Sequence, residues 1–170
     1  MKKHIALIST GGTIEKTYDE LEGVLSNNIS VLDVMLASLQ LRGVLISRIP
    51  LMNKDSLTMT ERDHTLIART AGIVAETHEG VVIVHGTDTL ALTGERCHEL
   101  LHDSLTVPVV LTGAMRPYEM RRTDAVQNVT EALLAVQLLE PGVYVAMHNQ
   151  VLRFPGVVKD RENGTFSRRA

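Results

Sequence analysis

The chain has 170 residues, a formal net charge of -3, 44% hydrophobic residues and a single cysteine, Cys97. This length favours one domain with a sizeable core, and the scattered basic residues lack the patch that a nucleic-acid binder needs. One cysteine excludes an internal disulfide and is typical of a reducing compartment, and no apolar run reaches the roughly 20 residues of a membrane helix. We therefore expect a cytoplasmic globular domain that binds neither nucleic acid nor a membrane.

Five aliphatic runs predict strands that are buried on both faces, near residues 5–9, 44–48, 81–85, 108–112 and 143–147. Helices are expected between them, each beginning at a Ser or Thr that can cap it. They run from Ser30, with Asp33, to about residue 39; from Thr60, with Asp63, to about 76; from about Thr89 to 102; and from Thr123 to about 139. Because strands and helices alternate, the fold class is α/β, a flavodoxin-like (Rossmann-like) three-layer domain with a mainly parallel sheet.

Two segments do not follow this alternation. Residues 15–28 are polar and contain Gly23, and they follow the first strand where a short turn would suffice. Loops of that length in compact domains are usually functional lids or poorly ordered. The tail from Arg153 onward contains Pro155, Gly156 and many charges, and it predicts a loop or a small hairpin.

Small polar residues cluster just after four of the strands, at residues 9–13, 55–56, 85–89 and 112–117. The carboxyl ends of parallel strands lie at one edge of the sheet, where open α/β sheets bind their ligands. We therefore predict one pocket built from hydroxyls, a carboxylate and glycine turns.

Each candidate residue in this pocket has an ordinary structural explanation beside the chemical one. Thr13 follows two glycines and is either an activated nucleophile or the capping threonine of a turn, and the turn alone favours the second. Asp88 either binds an ammonium group or caps the next helix. Lys159 is a solvated charge unless the tail folds back over Thr87, where it becomes a candidate base. Tyr18, in a polar loop, is a candidate proton relay.

One competing motif lies on a predicted helix. His98-Glu99-Leu100-Leu101-His102 matches the H-E-x-x-H pattern, whose two histidines share a helix face as a zinc site requires. No convincing third ligand follows, and histidines are also favourable at an exposed helix end. A zinc hydrolase is therefore the less favoured alternative.

Three motifs carry a resemblance to a known family. Residues 10–14 read Thr-Gly-Gly-Thr-Ile, residues 85–90 read His-Gly-Thr-Asp-Thr-Leu, and residues 113–117 read Gly-Ala-Met-Arg-Pro. Their order and separation resemble those of the bacterial-type L-asparaginases, and the resemblance extends from Lys3 to about Phe166. It implies a catalytic set in which Thr13 is the acylated nucleophile, Tyr18 the lid-loop tyrosine, and Thr87, Asp88 and Lys159 a Thr–Asp–Lys group. It also implies a substrate-binding set: Gly12, Asp55, Ser56, Gly86, Ala114 and Met115.

The resemblance implies an activity as well: hydrolysis of L-asparagine to L-aspartate and ammonia through a threonine acyl-enzyme, with no metal or organic cofactor. Asp88 would hold the substrate α-ammonium and Ser56 its α-carboxylate, while backbone N–H groups near Gly11, Gly12 and Asp88 would stabilise the oxyanion. Lys159 and Tyr18 both remain candidates for the base.

Family members carry a second, smaller C-terminal domain, whereas this sequence, residues 1–170, is expected to form one domain without it. The alternatives are a natural short member and a fragment of a longer protein, and the orderly tail favours the first. The apolar surface left exposed would favour a homo-oligomer, a dimer or tetramer. The expected contact is the helix that holds Val126, Val129, Leu133, Leu134 and Val136. Two further alternatives are a non-catalytic amino-acid-binding regulatory module and the amidase part of a tRNA-dependent amidotransferase. The low net charge counts against the second of these.

Overall fold

A six-stranded sheet forms the centre of the computed structural model, which describes residues 1–27 and 30–169. In chain order the strands are β1 (Lys3–Gly11), β2 (Thr17–Asp19), β3 (Val24–Ser26), β4 (Val44–Lys54), β5 (Gly80–Val84), β6 (Pro108–Thr112), β7 (Gly142–Met147), β8 (Gln150–Arg153), β9 (Val157–Asp160) and β10 (Thr165–Arg168). The helices are α1 (Leu32–Ala37), α2 (Glu61–Ala75), α3 (Leu90–Leu101) and α4 (Ala125–Ala135). Short 3-10 turns occupy Thr13–Glu15 and Ser56–Thr58.

The central sheet has the order β4-β1-β5-β6-β7-β8. All neighbouring strands are parallel except β8, which runs antiparallel to β7. This confirms the predicted α/β class with a mainly parallel sheet. The carboxyl ends of β1, β4, β5 and β6 consequently meet at one edge.

Helices cover both faces of the sheet. Side chains of a strand alternate between its two faces, so Ala6 and Ile8 of β1 pack with α2 and α3. Ile5 and Leu7 face the other way and pack with α1 and α4. Because both faces are buried, the inner strands need continuous aliphatic runs, and β5 and β6 are buried at every position.

Two of the predicted helices, α1 and α4, are shorter in the structure than the sequence predicted. The Ser30 hydroxyl donates to the Glu15 carboxylate and Asp33 pairs with Arg48 at 2.6 Å, so α1 has no side-chain cap and spans only six residues. Helix α4 ends at Ala135 rather than near residue 139. The predicted Thr60–Asp63 capping box at the start of α2 is present.

The two irregular segments both contain hairpins. Strands β2 and β3 pair within the 15–28 segment, whose last residue lies outside the described part of the chain. The tail forms the antiparallel hairpin β9–β10, which confirms the predicted small hairpin. Strand β8, which was not predicted, extends the main sheet after a turn in which His148 and Asn149 have φ of 52° and 61°.

The expected oligomer contact on α4 is largely wrong. Val129, Leu133 and Val136 are buried in the core of the same chain and Val126 packs partly against it, whereas Leu134 is exposed. The helix is apolar around much of its circumference because it covers the sheet, and its apolar side chains therefore do not by themselves indicate an interface between copies of the chain.

None of the helices found within residues 1–27 and 30–169 combines the length and apolar character needed to cross a membrane.

Candidate functional site

Three loops meet at the carboxyl edge of the sheet because two of them contain glycine. Gly12, after β1, has φ of 85°, and a Cβ built on it would lie 2.4 Å from Gly86 Cα. A Cβ on Gly86, after β5, would lie 2.5 Å from the Oγ of Ser56, which follows β4. A side chain at either glycine would push these loops apart. The loops that carry Thr13, Ser56 and Thr87 therefore meet in one region of the sheet edge.

Thr87, Asp88 and Lys159 form a hydrogen-bonded cluster. The Lys159 ammonium donates to Thr87 Oγ1 at 2.8 Å and to Asp88 Oδ1 at 2.9 Å. Thr87 is 3% exposed, and the side chains of Lys159 and Asp88 are 15% and 26% exposed. A largely buried ion pair that also holds a hydroxyl fits a site for proton transfer better than a solvated surface pair.

Aromatic residues of the tail bring Lys159 to this position. Lys159 on β9 pairs with Phe166 on β10, and both Phe154 and Phe166 are buried in the core on the α2–α3 face. A Cβ on Gly94 of α3 would lie 2.0 Å from the Phe154 ring, so this glycine makes room for it. The tail therefore folds back onto the sheet edge because its two phenylalanines are buried there.

A second cation approaches Asp88 from the solvent side. Arg161 Nη1 lies 3.4 Å from Asp88 Oδ1, and its side chain is 70% exposed. An open cleft of about 620 Å³ adjoins Asp88 and Lys159 and is also lined by Ala91 and Val157. Thr13, Ser56 and Thr87 do not line this cleft, which therefore lies on the α3 and tail side of the carboxylate and is distinct from the pocket predicted between the loops.

Thr13 begins the 3-10 turn that follows Gly12 and is half-buried. The Gly12 N–H donates to the Lys54 carbonyl at 2.8 Å. The expectation that this N–H stabilises an oxyanion is therefore wrong for this conformation, since its proton is already used. Behind the turn, burial raises the pKa of the Glu15 carboxyl, although hydrogen bonding from Ser30 opposes that effect.

Tyr18 does not join the cluster. It lies on β2, is 61% exposed, and lines an open cavity with Gly23, Leu25 and Met120. Its backbone N–H donates to Glu119 Oε2 at 2.8 Å, which attaches the hairpin to the loop after β6. Among the described residues no hydrogen bond joins the Tyr18 phenol to Thr13, so a role as proton relay would require the Tyr18 side chain to change its position.

Asp55 and Ser56, both predicted to bind substrate, have different surroundings. Asp55 pairs with Lys16 at 2.6 Å and accepts from the Leu57 N–H, and the Lys16 hydrogen bond is the main reason that its pKa is lowered. Ser56 is buried against Gly86, and its carbonyl accepts from the Thr89 hydroxyl at 3.0 Å. Asp55 therefore holds the loops together, and the Ser56 hydroxyl lies closer to the Thr87 turn.

The loop carrying Ala114 and Met115 is held by Asp124. This carboxylate accepts from the N–H groups of Met115 and Arg116 and from His148 Nε2, which lies 2.7 Å away. Burial alone would raise the pKa of Asp124, but these hydrogen bonds outweigh it and leave the pKa lowered. The carboxylate is thus ionised and fixes the loop in place.

Two buried histidines behind the Thr87 turn were missed by the sequence reasoning. His85 Nε2 and His64 Nδ1 each lie 2.7 Å from the Thr93 hydroxyl, and His85 Nδ1 lies 2.8 Å from the Gly86 carbonyl. One signal was available: His64 lies on the same face of α2 as the buried Ile67 and Ala68, where a polar residue needs a partner.

His85 should make the folded state less stable as the pH falls. Burial lowers its pKa from 6.5 to about 4, so between these values the unfolded chain binds a proton that the folded chain does not. The free energy of unfolding therefore loses nothing from His85 above pH 6.5. It falls as the pH drops from 6.5 to 4, by about 3 kcal/mol in total. NMR titration of the imidazole is the direct measurement, since groups such as Glu15 also contribute to unfolding curves. An ordinary His85 titration near pH 6.5 would contradict the expectation.

The H-E-x-x-H residues on α3 have other partners. Glu99 pairs with Arg96 at 3.1 Å, and His102 Nδ1 bonds to the His98 carbonyl at 2.8 Å. The two imidazole rings stack with centroids 4.8 Å apart. Across residues 1–27 and 30–169, no group of three or more His, Cys, Asp or Glu side chains could hold a metal ion.

Fold and site together define an α/β protein with a Thr–Asp–Lys cluster at the carboxyl edge of a parallel sheet. The family described as Asparaginase, N-terminal matches residues 4–166. The chain therefore belongs to the asparaginase family.

Individual relatives agree with this assignment. L-asparaginase from Thermococcus kodakarensis is 31% identical over 150 residues, which is 87% of this chain and 45% of the relative. A subunit of the glutamyl-tRNA(Gln) amidotransferase from Methanococcus vannielii is 30% identical over 151 residues, 88% of this chain and 35% of the relative. This chain thus spans less than half the length of these relatives.

Solved structures are similar in fold. The thermostable L-asparaginase from Thermococcus kodakarensis has a TM-score of 0.86 at 30% identity, over 97% of this chain and 51% of that one. The probable cytoplasmic L-asparaginase from Campylobacter jejuni has a TM-score of 0.80 at 32% identity, over 98% of this chain and 52% of that one. The similarity covers nearly all of this chain and about half of each structure.

Proposed function

We propose that this chain hydrolyses L-asparagine to L-aspartate and ammonia through a threonine acyl-enzyme. The observation that carries the proposal is the contact of Lys159 with both Thr87 and Asp88, at 2.8 and 2.9 Å. Lys159 is 72 residues from Thr87 in sequence, and a lysine that reaches a buried threonine from a distant hairpin is unusual for a purely solvated charge. Membership of the asparaginase family supports the same reaction.

In the first step the Thr13 hydroxyl attacks the side-chain amide carbon of asparagine. A base removes the Thr13 proton, the C–N bond breaks, and the departing nitrogen takes up a proton to leave as ammonia. The Asp88 N–H, rather than that of Gly12, is the proposed oxyanion donor, and one such donor is typically worth about 3 kcal/mol.

In the second step water hydrolyses the Thr13 ester and releases aspartate. Thr87 would orient this water or transfer its proton. Lys159 would first give a proton to the departing nitrogen and so become neutral. It would then take up the proton of the water by way of Thr87, and Asp88 would stabilise the ammonium that re-forms. The proton removed from Thr13 in the first step would return to the Thr13 oxygen as the ester breaks. Asp88 and the Ser56 hydroxyl are also the proposed partners of the substrate α-ammonium and α-carboxylate.

The remaining properties of the whole protein are proposals too. A cytoplasmic location is supported by the similarity to the Campylobacter jejuni structure. A homo-oligomer remains our expectation, and light scattering of the purified chain tests it. A second candidate function follows from the relatives that are amidotransferase subunits: the chain would release ammonia for a protein partner that modifies glutamyl-tRNA.

An ammonia-release assay with L-asparagine, L-glutamine and buffer tests the proposal. We expect turnover of asparagine in preference to glutamine, with half-saturation toward the millimolar end of the usual range. Binding of aspartate without any ammonia release would support the amino-acid-binding module instead. Activity lost on chelation, together with stoichiometric zinc, would support the zinc hydrolase.

A further inference from the structure

A chain of three buried polar side chains lies directly behind the Thr87 turn. His85, Thr93 and His64 are 0%, 0% and 3% exposed. His85 directly follows β5, Thr93 lies on α3 and His64 lies on α2. The two imidazole centroids are 6.2 Å apart with the Thr93 hydroxyl between them. The mechanism proposed above uses none of these groups.

The Gly86 carbonyl is the last acceptor in this row of side chains, and it determines which atom donates in each of the hydrogen bonds before it. The Gly86 carbonyl can only accept, so His85 Nδ1 must carry the proton that bonds to it. His85 is fully buried and therefore neutral at neutral pH, which leaves its Nε2 as an acceptor for the Thr93 hydroxyl. Thr93 has then used its one proton and must accept from His64 Nδ1–H.

The last acceptor in this row of hydrogen bonds is the Gly86 carbonyl, and Gly86 has no side chain that could hold its backbone in place. Gly86 is a glycine because Gly12 and Ser56 pack against it, and glycine is the residue with the greatest backbone freedom. The Gly86–Thr87 peptide is planar, so its carbonyl and the Thr87 N–H point in opposite directions. A bond that fixes the carbonyl on His85 fixes the orientation of the Thr87 backbone as well.

We propose that His64, Thr93 and His85 form a positioning relay, which aligns the Gly86–Thr87 peptide and thereby presents the Thr87 hydroxyl to Lys159. Within the described part of the chain, none of the three side chains hydrogen-bonds to Lys159 or Asp88, so the relay acts through the backbone. Its kinetic consequence depends on the proposed asparagine hydrolysis, but its hydrogen-bond order does not.

Nitrogen NMR of the histidine-labelled protein tests the order of protons directly. We expect His85 and His64 both to be neutral at pH 7 with the proton on Nδ1. Replacing Thr93 by valine keeps the shape and removes the hydroxyl, so Thr93→Val should shift the amide signals of Gly86, Thr87 and Asp88, and Thr93→Ser should restore them. Thr130→Val, an exposed change on α4, should leave these signals unmoved.

Kinetics of the same variants test the positioning role. Thr93→Val should lower kcat roughly tenfold without raising KM, because a misaligned Thr87 affects the transition state more than substrate binding, and Thr93→Ser should recover most of the rate. A proton on His85 Nε2, unmoved amide signals in Thr93→Val, or an unchanged kcat would each overturn the relay. If the wild-type chain itself releases no ammonia, the proposed function fails, and the NMR results still decide the relay.

Discussion

Thr13→Ala should lower the rate of asparagine hydrolysis by several orders of magnitude and leave the fold intact. A nucleophile that forms the covalent intermediate has no substitute in the same step, so its loss removes the acyl-enzyme route altogether. The structural cost is small because Thr13 is half-buried, its side chain is short, and the turn is held by Gly12 and Glu15 backbone bonds. Single-turnover and steady-state ammonia release, with circular dichroism for the fold, are the measurements.

A matched control separates loss of a nucleophile from loss of any threonine. Thr130 is exposed on α4, and its hydroxyl donates to the Val126 carbonyl of its own helix. Thr130→Ala should therefore retain the full rate. If Thr13→Ala retained more than a few per cent of the wild-type rate, Thr13 would not be the nucleophile, and Thr87 would be the next candidate.

The parallel sheet was predictable because each of its strands is indicated by a short run of neighbouring residues. Strands buried on both faces need continuous aliphatic runs, and the runs at β5, β6 and β7 are too short to be membrane helices. The polar residues after them had to meet at one edge, because parallel strands share the direction of their carboxyl ends. The motifs were therefore sufficient to predict that their loops meet at one edge of the sheet.

Other features depend on partners that are distant in sequence. The Ser30 hydroxyl has the chemistry of a helix cap, yet it bonds to Glu15, and no local pattern reveals that choice. The sequence reasoning also left Lys159 undecided between solvent and site. One signal was overlooked: the chain has two phenylalanines, and both flank Lys159 in the tail. Apolar rings of that size are usually buried, which favours a tail that packs on the domain.

The buried histidines show a different limit. His85 stands in a motif that resembles a catalytic one, and that resemblance directed attention to Thr87 and Asp88. Its own role depends on Thr93 and His64, which lie on two separate helices. The spacing of His64, His85 and Thr93 in the sequence does not indicate that they meet. Their hydrogen bonds form only because α2 packs against α3.

Lys159→Met should reduce kcat by about two to four orders of magnitude without raising KM, since proton transfer acts on the transition state and not on substrate binding. Methionine keeps the unbranched apolar stem of lysine and lacks the ammonium at its end. Arg161 remains 3.4 Å from Asp88, so the variant does not leave that carboxylate without a cation. Lys3→Met is the matched control, because the Lys3 ammonium donates to the Gln137 carbonyl at 2.6 Å at the amino end of β1, away from the site. It should retain the wild-type rate.

Tyr18→Phe decides between the two candidate bases. Tyr18 is 61% exposed and its phenol forms no hydrogen bond with Thr13 among the described residues, so we expect a smaller effect on kcat than that of Lys159→Met. If Lys159→Met were nearly silent and Tyr18→Phe severe, the tyrosine would activate Thr13 and Lys159 would have only a structural role. If both were severe, each threonine would have its own proton acceptor: Tyr18 for the attack of Thr13, and Lys159 for the water oriented by Thr87. Burst-phase kinetics distinguish these cases, because loss of the Lys159 step alone would let the acyl-enzyme accumulate after one release of ammonia.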